Sequence, residues 1–139
     1  MRDFSAVFDV KAPPAAVLAV LFDIARWPEW TATVTSLERL DDGPLKLGGK
    51  ARICQPNLPP AVWHVVELDG QSGFSWSTRI SGVRIKGGHL VEAADAGSKV
   101  TLSLAYSGPL APLIGFLYRS FSQRYLAIEA EGLRKRCEG

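Results

Sequence analysis

Residues 108–139 read GPLAPLIGFLYRSFSQRYLAIEAEGLRKRCEG, and the periodicity of this stretch decides the fold. Pro109 and Pro112 suit the first turn of a helix, where an N–H has no intrahelical partner to lose. Apolar residues then fall at Leu110, Leu113, Ile114, Leu117, Phe121, Tyr125 and Ile128, with Gly132 continuing the line at steps of three and four. Arg119, Gln123, Glu131, Arg134, Lys135 and Glu138 lie mostly off that line, and Glu131 and Lys135 are spaced as an i,i+4 pair. The spacing predicts one long amphipathic helix. Its first half is almost wholly apolar and carries Gly115, whereas its second half is charged on the outer side. Such a helix suits a sheet with something to cover, either a plain core or a cavity.

The rest of the composition narrows the class. A chain of 139 residues with 47% hydrophobic and 22% charged residues reads as a single globular domain, residues 1–139. At this size folding buries roughly 68–70% of the unfolded surface, enough for a core and a pocket. A formal net charge of +2 is too small to argue for nucleic acid, and Arg134-Lys135-Arg136 reads as a solvated helix end. There is no apolar run long enough to span a membrane and no signal-like leader. Cys54 and Cys137 have no metal or redox spacing, so reduced thiols in the cytoplasm are expected.

Working back to the N-terminus, Phe4, Ala6, Phe8 and Val10 alternate with Ser5, Val7 and Asp9, a strand with one apolar face. Lys11 to Pro14 ends it, and Pro14 opens a short helix to Phe22. Asp23 is placed to cap a second short helix, Ile24 to Trp27, which Pro28 breaks. From Val34 to Tyr106 the punctuation is that of consecutive hairpins. Turn signals stand at Asp42-Gly43-Pro44, Gly48-Gly49, Pro56 to Pro60, Asp69-Gly70, Ser81-Gly82 and Ala96-Gly97. Between them lie strands at Val34–Leu40, Lys50–Gln55, Val62–Leu68, Gly73–Arg79, Val83–Ala93 and Lys99–Tyr106. Several of these alternate cleanly; Val34–Leu40 does not, which points to a bulge or a register error there. Strands segregated from helices mean α+β: a seven-stranded antiparallel sheet curling around one long C-terminal helix, closed at one end by two short helices.

In that order the sequence resembles the START-like, polyketide-cyclase/dehydrase superfamily of helix-grip domains (SRPBCC). The carriers are Val10-Lys11-Ala12-Pro13 with Val17, then Asp23-Ile24-Ala25-Arg26-Trp27-Pro28-Glu29-Trp30. Gly49 to Pro56, Trp63-His64-Val65, Phe74-Ser75-Trp76, His89-Leu90-Val91-Glu92, Gly97 to Leu102 and Gly108-Pro109-Leu110 follow. The resemblance covers essentially the whole chain. It implies a deep apolar cavity between sheet and helix, and no particular chemistry, because the superfamily includes carriers, ligand sensors and a few cyclases.

Candidate site residues follow from strand parity. His89 shares a face with Val83, Ile85, Gly87 and Val91, an imidazole among apolar neighbours. It is the one candidate catalytic acid/base, and equally an anchor for a polar ligand end or a histidine satisfied by a backbone group. Gln55 and Tyr106 continue inward faces as polar tips, for orienting a ligand or for bonding a loop. Trp63, Phe74, Trp76 and Leu104 face inward as cavity wall or core, and Leu113, Leu117 and Phe121 are the matching helix residues. Trp27 and Trp30 read as a plug at the helix–sheet joint. Gly87-Gly88 marks a bend in the sheet. His64 faces the opposite way from Trp63, so no metal site is expected, and Arg52, Arg79 and Arg84 alternate outward. No nucleotide, hydrolase or metalloprotease motif occurs, and no cofactor is implied. The apolar segment Leu110–Tyr118 is too short to span a membrane and not strongly basic, so covering a cavity is its simpler role.

The expected function is binding of a hydrophobic small molecule, lipid-like, aromatic or polyketide-like. The alternatives are a cyclase or dehydratase using His89, and a protein-interaction module. The expected partner is that small molecule, with no nucleic acid, no stable membrane insertion, and a homodimer left open.

Overall fold

The computed structural model describes residues 2–56, 58–80 and 82–139, with Arg2 described by its backbone alone. Asn57 and Ser81, which belong to two of the expected turns, lie outside the described residues. Strand β1 (Arg2–Val10) is followed by α1 (Pro14–Phe22) and a 3-10 helix (Ile24–Glu29). Then come β2 (Ser36–Arg39), β3 (Lys50–Cys54), β4 (Ala61–Asp69), β5 (Gly73–Ile80), β6 (Val83–Ala94) and β7 (Gly97–Ser107). Two helices end the chain, α2 (Ala111–Leu117) and α3 (Arg119–Glu138). All strands join one antiparallel sheet of order β1-β7-β6-β5-β4-β3-β2.

The expected α+β helix-grip architecture is therefore the observed one, with local differences. The second strand is only four residues long, and the register shift falls instead in β4, between Val65 and Glu67. Pro28 sits inside the 3-10 helix rather than ending it, and Asp23 makes no side-chain cap. Asp23 pairs with Arg26 at 3.3 Å instead.

The C-terminal segment departs most. It is two helices joined at Tyr118 (φ −104°, ψ 15°) rather than one continuous helix. Its sheet-facing line is Ala111, Gly115, Ser122, Leu126 and Leu133, all buried. That line is the expected stripe of Ile114, Phe121, Tyr125 and Gly132 moved one residue onward, a rotation of about 100°. Close approach to a sheet selects small side chains on the contact line, whereas apolar periodicity weights the large ones. Gly132 marks a second close approach, to the end of the 3-10 helix, since a Cβ there would overlap the Trp30 carbonyl oxygen. On the outer side Glu131 pairs with Arg134, not Lys135, and Arg134 also reaches Glu138 at 2.9 Å. Arg136 holds Glu29 at 2.8 Å, tying α3 to the 3-10 helix.

The helix α3 packs on β1, β7 and α1 and stands away from β3 to β6. The core lies between α1, the 3-10 helix and the sheet, where Val17, Leu21, Trp27, Val100 and Leu102 are all but fully buried. Where α3 stands off, a space remains. Among the described residues no helix is long and apolar enough to cross a membrane.

Candidate ligand-binding cavity

The space between α3 and strands β3 to β7 is a cavity of about 400 Å³, inside the usual range for small-molecule sites. Its wall is mainly apolar and aromatic, with Trp27, Trp63, Trp76, Ile85, Leu104 and Phe121 among its members. Gly87 gives it width. A Cβ there would lie 3.3 Å from the Trp76 indole, so this glycine accommodates an inward ring as well as a bend. Among the described lining residues only Pro59 and Tyr118 are exposed. The cavity therefore reaches the surface between the β3–β4 loop and the α2–α3 joint. The opposite end is shut by Trp27, whose Nε1 donates to the Leu21 carbonyl at 3.0 Å, and by Trp30 against it at 5.1 Å.

The paired polar side chains of the described wall gather in three places. At the closed end His89 is 6% exposed. Phe74 stacks on its ring at 4.5 Å, and Trp27 and Trp76 meet it edge-on at 5.1 and 5.8 Å. Its Nδ1 donates to the Phe74 carbonyl at 3.1 Å. A carbonyl only accepts, so Nδ1 carries the proton and Nε2 is the free position. Nε2 faces Oε1 of Glu129 at 3.6 Å, and the Glu129 side chain is 15% exposed. A proton between the two makes the contact attractive, and its loss turns a lone pair toward a carboxylate.

The second place is midway along the cavity, where the Tyr106 hydroxyl and Ser122 Oγ form a buried hydrogen bond of 2.6 Å. Burial holds the Tyr106 phenol above the ordinary tyrosine range, with the Ser122 bond opposing the shift. The third is the mouth, where the Tyr125 hydroxyl donates to the Pro56 carbonyl at 2.7 Å and fastens the β3–β4 loop to α3.

Of the residues singled out in the sequence, Gln55, Trp63, Trp76, His89, Leu104, Tyr106 and Phe121 line this cavity. Phe74 and Val91 are buried in the core instead, Phe74 directly beneath His89. Leu113 and Leu117 correct the expectation: they are 55% and 61% exposed on the outer face of α2, because the helix is rotated. Trp27 lines the cavity as well as plugging its end. Glu129 and Ser122 were not singled out. Their signal was available, since Ser122, Leu126 and Glu129 follow one another at steps of four and three. His64 is exposed, as are Arg52, Arg79 and Arg84.

This architecture has relatives. The family model for polyketide cyclase / dehydrase and lipid transport proteins matches residues 1–138. The chain belongs to that family. Among solved structures, the ZhuI aromatase/cyclase from Streptomyces sp. R1128 is 16% identical, with 99% of this chain and 93% of that one covered at a TM-score of 0.78. The structure of Ara h 8.0201 is also 16% identical, with 98% and 97% covered at 0.74. The di-domain aromatase/cyclase BexL from the BE-7585A biosynthetic pathway is 24% identical over 97% of this chain and 46% of that one, at 0.71. At these identities the family and its neighbours share a fold with this chain. No curated protein matches the sequence.

Proposed function

We propose that this family member binds a hydrophobic small molecule, flat and aromatic or lipid-like, in the cavity between α3 and the sheet. The observation that carries the reading is an apolar, aromatic-walled cavity of about 400 Å³ whose exposed lining, among the described residues, is Pro59 and Tyr118. Binding is driven by burial of apolar ligand surface, roughly 25 cal/mol per Å² before the cost of immobilising the ligand. The family description, which names both polyketide cyclases and lipid transport, supports the same ligand classes. His89 with Glu129 at the closed end, Tyr106 midway and Gln55 near the mouth are the groups that orient a polar end. The half-buried free thiols of Cys54 and Cys137 fit a cytoplasmic setting.

The pairing of His89 with Glu129 favours one second reading, a cyclase or dehydratase. Sequence parity left His89 without a partner; a carboxylate 3.6 Å from Nε2 supplies one. In that reading His89 takes a proton from a carbon beside a ketone, or delivers one to a departing hydroxyl. Glu129 then stabilises the imidazolium.

Three of the four tryptophans line the cavity, so their emission reports on it. Titration with a panel of aromatic polyketides and fatty acids is expected to change that emission saturably, and Leu104→Trp, which fills the space, to abolish uptake. No change with any member of the panel overturns the binding reading. Turnover lost in His89→Ala while binding persists establishes the enzymatic one.

A further inference from the structure

The cavity mouth carries a greasy surface that the fold leaves uncovered. Leu110, Leu113, Phe116, Leu117 and Tyr118 are 46%, 55%, 54%, 61% and 43% exposed, and they fall in one short run of chain. Isolated exposed leucines are ordinary; a contiguous cluster is not. The β5–β6 turn adjoins it, since a Cβ on Gly82 would lie 4.0 Å from Leu110 Cδ1. Tyr118, one of the two exposed lining residues, belongs to both the cavity and the cluster.

Charge is distributed to match. No Asp or Glu occurs in residues 70–91 or 96–128, the segments that supply the β5–β6 turn, the end of β7, α2 and the first half of α3. The same segments carry Arg119 and Arg124 on α3 and, on the outer face of the same end of the sheet, Arg79 and Arg84, all exposed. Among the described residues none of the four has a carboxylate in ion-pair range. Arg119 lies over the Phe116 ring at 4.9 Å, so cation and apolar surface are contiguous. Two carboxylates share this end of the sheet, Asp3 on β1 and Glu38 on β2, and Glu38 is paired with Arg52. Asp69, Glu92 and Asp95 cluster at the other end, where β4–β5 and β6–β7 turn.

We propose that α2 and its arginine rim dock on an anionic lipid surface, with the cavity mouth turned toward the bilayer. A helix of seven residues enters the headgroup region and no further. The arginines meet lipid phosphates and carboxylates, while the leucines and Phe116 meet acyl chains. A cavity opening onto the membrane lets an apolar ligand pass between bilayer and protein without crossing water, a consequence that rests on the ligand-binding reading above.

Flotation with vesicles tests this. The intact chain is expected to float with phosphatidylcholine vesicles containing phosphatidylserine, far less with phosphatidylcholine alone, and less as salt rises. Arg119→Gln and Arg124→Gln are each expected to weaken binding about fivefold. Leu113→Ser with Leu117→Ser, at exposed positions that the fold does not need, is expected to weaken it about tenfold or more. All three variants keep saturable uptake of an aromatic ligand, measured by tryptophan emission without vesicles. Flotation indifferent to phosphatidylserine or to these substitutions overturns the proposal. So does a concentration-dependent dimer abolished by Leu113→Ser, which assigns the surface to a second copy of the chain. Ligand uptake without flotation sinks the docking alone, whereas flotation without uptake by any ligand sinks the cavity reading and leaves docking standing.

Discussion

Replacing Gly132 with alanine tests how closely α3 rides on the rest of the molecule. By helix propensity alone the change stabilises, by about 1 kcal/mol in a helix interior. The surroundings forbid it. The new Cβ would overlap the Trp30 carbonyl oxygen and lie 3.1 Å from its carbonyl carbon and 3.4 Å from Cε3 of the indole. The nearest atoms are backbone, which cannot swing aside, so α3 or the segment after the 3-10 helix must move. Overpacking of this kind costs about 1–3 kcal/mol and sometimes more. An overlap with backbone this deep falls at the upper end, so after the propensity gain the net expectation is a loss of about 2 kcal/mol, or a Tm lower by about 7 °C for a chain of this size. Urea and thermal unfolding measure it, with Gly70→Ala as the control. No atom lies within 4 Å of a Cβ at Gly70, so that variant stays within about 0.5 kcal/mol of the parent. Trp30 packs on Trp27, which walls the cavity, so Gly132→Ala also shifts tryptophan emission. A Gly132→Ala protein as stable as the parent, or more so, refutes this packing of α3.

Three further outcomes are expected. Tyr106→Phe removes one partner of the buried bond to Ser122 and costs about 1 kcal/mol at neutral pH, because Ser122 can turn to its own helix carbonyls. Burial raises the Tyr106 phenol, so its stabilising contribution is full below the unfolded tyrosine value of about 10 and is lost as pH rises through the folded value. Urea midpoints followed into the alkaline range therefore fall less steeply for Tyr106→Phe than for the parent. Tyr125→Phe unfastens the β3–β4 loop at Pro56, and hydrogen exchange there is expected to quicken by about fivefold, an effect absent if the loop is held by other contacts. Glu129→Gln keeps the size of the carboxylate and removes its charge. It is expected to move the ring resonances of His89 in NMR spectra, and unchanged resonances dissolve the pair.

The sequence was most informative where one physical requirement acted alone. Strand parity placed Trp63, Trp76, His89, Leu104 and Tyr106 on a common inner face, because every second side chain must point that way. Turn residues located the β4–β5 and β6–β7 connections for the same reason. The C-terminal helix obeys two requirements at once. It presses small residues, Ala111, Gly115 and Ser122, against the sheet and aims large ones, Ile114, Phe121 and Tyr125, into the cavity. Apolar spacing alone cannot separate those lines, and so Leu113 and Leu117 were expected inside when they lie outside. Glu129 is inconspicuous in the sequence because a carboxylate on an amphipathic helix is ordinarily a solvent-facing residue. Its spacing from Ser122 and Leu126 sets its helix face, but its place opposite His89 depends on how α3 sits across the sheet, which that spacing does not encode.

The most direct measurement is native mass spectrometry of the protein as purified, followed by denaturing extraction and mass analysis of whatever is released. A discrete adduct of a few hundred daltons, matched by an apolar compound in the extract and missing from Leu104→Trp, is the predicted result. An adduct that survives in Leu104→Trp, or a protein that stays at its bare mass when mixed with aromatic polyketides and fatty acids, contradicts the account.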